Sequence, residues 1–227
     1  MRYAQIRSMD ISNGEGVGVS LFVQGCDRHC FNCFNSETWD FNGGKEWTEE
    51  TKNKLMELID RPYIRRISIL GGEPLAERNL DDVLSLIKEI REKYPISQNL
   101  NSENIGKSRV LEDENSKEIR ISCPKKTIWL YTGFRWSDIW KWKRIPNTLL
   151  EDAIYNPRNL YFYDYHNSLY ENMMKRQEII RLCDVLVDGE YIDEQKDLTL
   201  AWRGSKNQHV IDVQKSIAQN KLILYCE

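Results

Sequence analysis

Cys26, Cys30 and Cys33 crowd into eight residues in a C-x3-C-x2-C pattern. Steps of three and four residues span at most ~11–14 Å when extended, so a loop can fold the three thiols around one small inorganic object. Soft thiolates suit iron–sulfur clusters, zinc or Cu(I). Four-iron electron-transfer clusters take four cysteines. A set of three leaves one iron without a protein ligand, and an open coordination position separates catalytic from structural metal sites. The spacing alone leaves an alternative open. This is a zinc-stabilised binding module, with His29 or a distant cysteine as fourth ligand. His29 sits beside Cys30, which makes simultaneous ligation by both awkward.

A second pattern favours the cluster. Gly71-Gly72-Glu73-Pro74 follows an apolar run, Arg66 to Leu70, that reads as a buried strand. In parallel α/β architectures ligands bind at the C-terminal ends of strands. Paired glycines permit positive φ and close approach of backbone to a ligand, and Pro74 fixes the exit. Backbone carbonyls and Glu73 at such a turn can receive an ammonium group. Taken alone, the four residues are a tight βα turn.

These motifs need elements to hold them. Val17 to Gln24 reads as a buried strand leading straight into the cysteine loop. Thr48 to Asp60 reads as a helix, with Thr48 as N-cap and Glu49 and Glu50 at its positive end. Asp81 to Lys93 is a second helix, with Val83, Leu84, Ile87 and Ile90 on one face. Thr127–Thr132 and Asp184–Val187 are further buried strands; Asp138–Lys143 and Tyr170–Leu182 are helical; Leu160–Tyr165 has the aromatic composition of a strand. Strands alternating with helices predict an α/β domain with a parallel sheet.

The 227 residues suit one domain with elaborations. One falls at 96–126, polar and without a period, a surface excursion or small hairpin. The other is the tyrosine-rich stretch 144–171, either a partner-docking surface or an extra strand and helix packed on the edge. A formal charge of −3 gives no support to a nucleic-acid or membrane-surface role. No apolar run reaches membrane-spanning length and the N-terminus lacks a secretory pattern, so the expected location is the cytoplasm. Cys123, Cys183 and Cys226 stand alone and read as small buried hydrophobes.

With the cysteine set and the glycine turn in view, the chain resembles the radical S-adenosylmethionine superfamily. It is most similar to the glycyl-radical activating enzymes that act on anaerobic ribonucleoside-triphosphate reductase. The likeness runs in order through Asp10–Gly14, Leu21–Trp39, Ile67–Leu75, Ile128–Gly133, Asp184–Gly189 and Trp202–Gln208. The last two blocks are more specific than the cysteine motif, which the whole superfamily shares.

The resemblance implies a partial, incomplete TIM-like β/α barrel with insertions. It implies a [4Fe-4S] cluster on Cys26, Cys30 and Cys33, with S-adenosyl-L-methionine chelating the open iron. One electron, from a reductant such as flavodoxin, would cleave the cofactor. The 5′-deoxyadenosyl radical would then take hydrogen from a glycine Cα of the reductase. By matching positions, Gly71, Gly72, Glu73 and Pro74 face the methionine ammonium. Asp188 is a cofactor or cation contact, or a turn or strand-cap aspartate. Arg203, Ser205 and Asn207 are partner or cofactor contacts, or the end of a last strand. The position before the third cysteine, often an aromatic beside the adenine, is Asn32 here, flanked by Phe31 and Phe34. Activation of another glycyl-radical enzyme, or action on a small molecule, is the neighbouring reading; the Trp202–Gln208 block weighs against it.

Cys30→Ser is expected to abolish cluster-dependent cofactor cleavage. A normal yield of 5′-deoxyadenosine from that variant, measured anaerobically with reductant, would refute the assignment of Cys30.

Overall fold

The computed structural model describes residues 1–96, 109–112, 118–121, 125–140 and 157–226. An eight-stranded mixed sheet forms the centre. Its strands are β1 (Arg2–Asp10), β2 (Gly18–Val23), β3 (Lys45–Glu46), β4 (Arg66–Gly71), β7 (Thr127–Tyr131), β8 (Val185–Asp188), β9 (His209–Asp212) and β10 (Leu224–Cys226), in the spatial order β10-β9-β8-β7-β4-β2-β1-β3. β5 (Arg109–Glu112) and β6 (Glu118–Ile121) form a separate antiparallel pair within the 96–126 segment, where a small hairpin is expected.

The four central strands β2, β4, β7 and β8 pair in parallel. Parallel neighbours need crossover connections, and α1 (Glu49–Asp60), α2 (Leu80–Lys93) and α4 (Pro157–Arg181) lie in them; α3 (Trp136–Trp140) precedes α4 and α5 (Val213–Ala218) follows β9. Thr48 caps α1, its side chain accepting a hydrogen bond from Thr51 N. The edges are antiparallel: β1 on β2, β3 on β1, β9 on β8 and β10 on β9. The α/β expectation therefore holds with a mixed sheet. The sheet is open, running from β10 at one edge to β3 at the other, and is not closed into a barrel.

Strand alternation gives this sheet two different faces. One carries Val19, Leu21, Val23, Ile67, Ile69, Ile128, Leu130, Leu186 and Ile211 and is covered by the helices through Leu55, Ile59, Val83, Leu86, Ile87, Ile90, Ile179 and Ile180. The other carries Trp129, Val185, Val187 and Val210 with Tyr131 and Trp202. Arg66 and Ser68 are also fully buried. The Arg66 guanidinium donates to Ser68 Oγ at 2.8 Å and to the Asp10 carbonyl at 2.6 Å, with the Asp10 carboxylate 3.6 Å away. That carboxylate accepts from the backbone N–H groups of Ser12 and Asn13, which shapes the Asp10–Gly14 turn. Gly14 adopts φ +125°, and a Cβ there would lie 2.6 Å from Arg66 Cδ.

Two differences from the sequence-based expectation stand out. Leu160–Tyr165 is helical, part of the 25-residue α4. Aromatic enrichment reports fit to a half-buried pleated surface, not a backbone preference. Once Met173, Ile179 and Ile180 pack the C-terminal half of α4, extending it adds a hydrogen bond per residue at little nucleation cost. β1 has no continuous apolar run to mark it in the sequence; it is held by pairing with β2 and, at Arg2 and Tyr3, with β3. Cys183 is buried, donating to Ile179 O, as expected of a lone cysteine. Cys123, residues 141–143 of the short predicted helix and residues 144–156 of the tyrosine-rich stretch lie outside the described residues. Among the described residues no helix is long and apolar enough to cross a membrane.

Candidate iron–sulfur site

Because β2, β4, β7 and β8 run in parallel, their C-terminal ends open at one edge. Four loops leave there: the cysteine loop after β2, the Gly72–Pro74 turn after β4, Thr132–Phe134 after β7 and Gly189–Tyr191 after β8. They surround a cavity of about 520 Å³ lined by Cys26, Cys30, Cys33, Gly71, Gly72, Glu73 and Arg203, among others. Pro74, Asp188, Ser205 and Asn207 lie outside that lining.

Backbone bonds fix the cysteine loop to the glycine turn. Gly72 N donates to Val23 O at 2.9 Å and Glu73 N to Gly25 O at 2.7 Å. Gly71 adopts φ +104°, and a Cβ on Gly72 would sit 2.4 Å from the Gly25 carbonyl oxygen. Glycine is required there because one backbone lies directly on the other. Buried Asn79 joins the same loops, donating to Gln24 O at 3.1 Å and Glu73 O at 3.0 Å. Sequence reading missed Asn79, which sits where α2 begins and carries no signal beyond that of a helix cap.

Within the loop, His29 and Asn32 adopt φ of 49° and 53°, each immediately before a cysteine. Asn and His tolerate this left-handed region better than most side chains, and the turns re-aim the chain toward the cavity. Asn32 thus serves the backbone. His29 stacks on Trp39 at 4.7 Å between ring centroids and is absent from the cavity lining. Phe34 lines the cavity, whereas Phe31 is 73% exposed and does not.

Burial, with a smaller contribution from the Glu73 charge, pushes the Cys26 thiol up to about 11, and burial also raises Cys30. Without metal these thiols are protonated; cationic iron offsets the desolvation and displaces the protons. Among the described residues no three His, Cys, Asp or Glu side chains converge as ligands of a single ion. A four-iron cluster is larger and holds its thiolates farther apart. Three soft donors lining one cavity fit a four-iron cluster.

Glu73 is 3% exposed. Its carboxylate accepts from Thr132 Oγ1 at 2.7 Å, Leu75 N at 2.9 Å and Gly133 N at 2.8 Å, with Arg28 Nε 3.6 Å away. Burial raises its pKa, and these donors oppose the rise. Asp188 is equally enclosed: Oδ2 accepts from Trp136 N, and Oδ1 from His209 N with His209 Nδ1 at 3.0 Å. Its carboxylate ties the start of α3 to β9, the strand-cap arrangement.

The Trp202–Gln208 segment divides its labour. Ser205 Oγ accepts from Ile192 N, Asn207 Nδ2 donates to Glu190 O, and Gln208 Oε1 accepts from Gly204 N and Ser205 N. Trp202 packs edge-on against Trp129 at 5.0 Å. These residues build the wall. Arg203 lines the cavity and its buried Nε has no hydrogen-bond partner among the described residues.

A family model described as "4Fe-4S single cluster domain" matches residues 12–107 and 113–211. With that match over most of the chain, and three thiols sharing one cavity, the chain belongs to this class of single-cluster iron–sulfur proteins. Its relatives narrow the class. The anaerobic ribonucleoside-triphosphate reductase-activating protein of Salmonella typhi is 30% identical over 92% of this chain and 97% of the relative. The proteins of the same name in Escherichia coli K12 and Enterobacteria phage T4 are 28% and 25% identical over 92% of this chain and 97% and 93% of their own lengths. The family to which the chain belongs is that of the anaerobic ribonucleoside-triphosphate reductase-activating proteins.

Gly72→Ala is expected to push Gly25 away and misplace Cys26. Iron content after anaerobic reconstitution should fall severalfold while the far-ultraviolet circular dichroism stays native. Full iron loading by this variant would show that the close backbone approach is dispensable.

Proposed function

We propose that this chain installs a glycyl radical on anaerobic ribonucleoside-triphosphate reductase by reductive cleavage of S-adenosyl-L-methionine. The observation that carries the reading is the convergence of Cys26, Cys30, Cys33 and the Gly71–Glu73 turn on one cavity, in a chain matched nearly end to end by reductase-activating proteins. When bound, a [4Fe-4S] cluster with S-adenosylmethionine supplies one-electron cleavage of a sulfur–carbon bond and a hydrogen-abstracting radical. The protein's work is to bind, orient and exclude water.

Cys26, Cys30 and Cys33 hold the cluster and leave one iron to the cofactor. Carbonyl oxygens of Gly71 and Gly72 receive the cofactor's ammonium, aided by the Glu73 charge, and Pro74 sets the turn's exit. Asp188, Ser205 and Asn207 act from behind the wall as positioning residues. Arg203 takes the cofactor's carboxylate. It is a cation in the cavity whose buried Nε–H has no partner among the described residues, and a carboxylate is the group such a donor satisfies best. In this reading the parallel strands are the incomplete β/α barrel of the radical superfamily. The chain is one domain, with surface elaborations at 96–126 and 144–171. It works in the cytoplasm with a reductant such as flavodoxin.

Anaerobic electron paramagnetic resonance tests the partner. With reduced cluster and S-adenosylmethionine, a glycyl radical signal should appear only when the reductase is added. Its absence from a preparation that forms 5′-deoxyadenosine would point instead to another glycyl-radical enzyme or a small-molecule substrate.

Arg203→Gln should weaken S-adenosylmethionine binding at least tenfold in equilibrium dialysis, within the range for a charged hydrogen bond. Binding of the decarboxylated cofactor should be unchanged. Equal losses for both ligands would remove the carboxylate from this role.

A further inference from the structure

The cysteine loop has little regular structure of its own, yet each part of the motif reaches the same short segment. Arg28, between the first and second cysteines, pairs with Glu190 through Nη1. Asn32, between the second and third, donates from Nδ2 to Asp193 Oδ2 at 2.9 Å. Phe34, directly after the third, packs on Tyr191 with ring centroids 5.0 Å apart. Tyr191 in turn donates to Asp193 Oδ1 at 2.6 Å, so the acceptor for Asn32 is itself held. Arg28, Asn32 and Phe34 thus dock on Glu190, Asp193 and Tyr191 respectively, a stretch 162 residues away for the Arg28–Glu190 pair.

Arg28 is the pivot. Besides Glu190 it reaches the Glu73 carboxylate, Nε to Oε2 at 3.6 Å. Its guanidinium lies over the Phe134 ring at 4.2 Å. It therefore touches three of the four loops that form the cavity, from a position two residues after Cys26.

We propose that Arg28 and Asn32 in the spacers, with Phe34 after the third cysteine, clasp the cysteine loop onto residues 190–193, and that the Arg28–Glu190 pair sets the charge felt by the cluster. The inference rests on the cluster reading above. Arg28 and Glu190 act here as positioning residues, through the loop they hold and the charge they carry at the cavity rim. An iron–sulfur potential responds to nearby charge. Removing Arg28 takes a cation away from beside Glu73 and Glu190 at the cavity. Removing Glu190 leaves Arg28 less opposed. The two deletions act on the cluster with opposite sign, whereas mere loosening of the loop acts the same way in both.

The pair is partly exposed, so its contribution to global stability is small. Loss of the clasp therefore shows at the cluster, and the melting temperature of the iron-free chain stays close to the parent's.

The experiment is redox titration of the reconstituted protein, followed by electron paramagnetic resonance, in the parent and in Arg28→Gln, Arg28→Lys and Glu190→Gln. The expected result is a potential lowered by Arg28→Gln, raised by Glu190→Gln and largely restored by Arg28→Lys. Unchanged potentials, or shifts of the same sign in both neutralising variants, would overturn the proposal. Where Arg28→Gln fails to hold a cluster, Glu190→Gln decides: its position is exposed and its potential must still rise. Iron content of the parent separates this from the underlying reading. A parent that takes up no four-iron cluster refutes the reading, and loaded variants with unmoved potentials refute the clasp alone.

Discussion

The β2–β4 ladder does not stop where the strands stop. Two further backbone bonds, Gly72 N to Val23 O and Glu73 N to Gly25 O, carry the pairing into the loops. The rest of the site depends on them. They place the first cysteine and the Gly71–Glu73 turn at a set separation, because backbone-to-backbone bonds leave no side-chain freedom between the two. Side chains then reinforce the junction: Asn79 bonds to both loops, and the Glu73 carboxylate gathers Thr132, Leu75 and Gly133 around it. Hydrogen bonds of this kind contribute only about 1 kcal/mol each. Their importance is geometric, since a buried carboxylate with its donors in place has one position.

The sheet divides structure from chemistry. Its helix-covered face is aliphatic and supplies the hydrophobic stabilisation. The opposite face admits Arg66, Ser68, Trp129 and Tyr131. Arg66 is tolerable in full burial because Ser68, the Asp10 carbonyl and the Asp10 carboxylate surround it. An unpaired charge at that depth would be strongly destabilising. The Asp10–Gly14 turn thus anchors a buried cation under the sheet, which accounts for a block that local chemistry left unexplained. The same holds for Trp202–Gln208, where Asn207 and Gln208 bond to Glu190 and Gly189 and Ser205 to the Ile192 N–H.

The cysteine loop lies between these two worlds. Left-handed His29 and Asn32 turn it inward, and its spacers hold it to a segment that follows β8. A loop without regular structure gains order only from such outside partners, because it must offset the conformational entropy it loses. Coupling among the cysteine loop, the 190–193 segment and the Trp202–Gln208 wall gives the cavity a continuous rim.

Much of this is legible in the amino-acid sequence. The cysteine spacing, the paired glycines and the apolar strands feeding each motif follow from local chemistry, and these features define the class of site without coordinates. Strand order, the exit of all four loops at one edge and the α-helical state of Leu160–Tyr165 do not. Pairing partners far apart in the chain, and packing against the core, decide them. The roles of Asn79 and Arg28 were likewise invisible, since an asparagine before a helix and an arginine inside a loop carry no long-range signal. The sequence by itself determined which ligands the site offers, because ligand chemistry belongs to side chains and their spacing. Tertiary structure alone decided what holds those ligands in place, because the partners are brought within hydrogen-bonding distance only when the sheet forms.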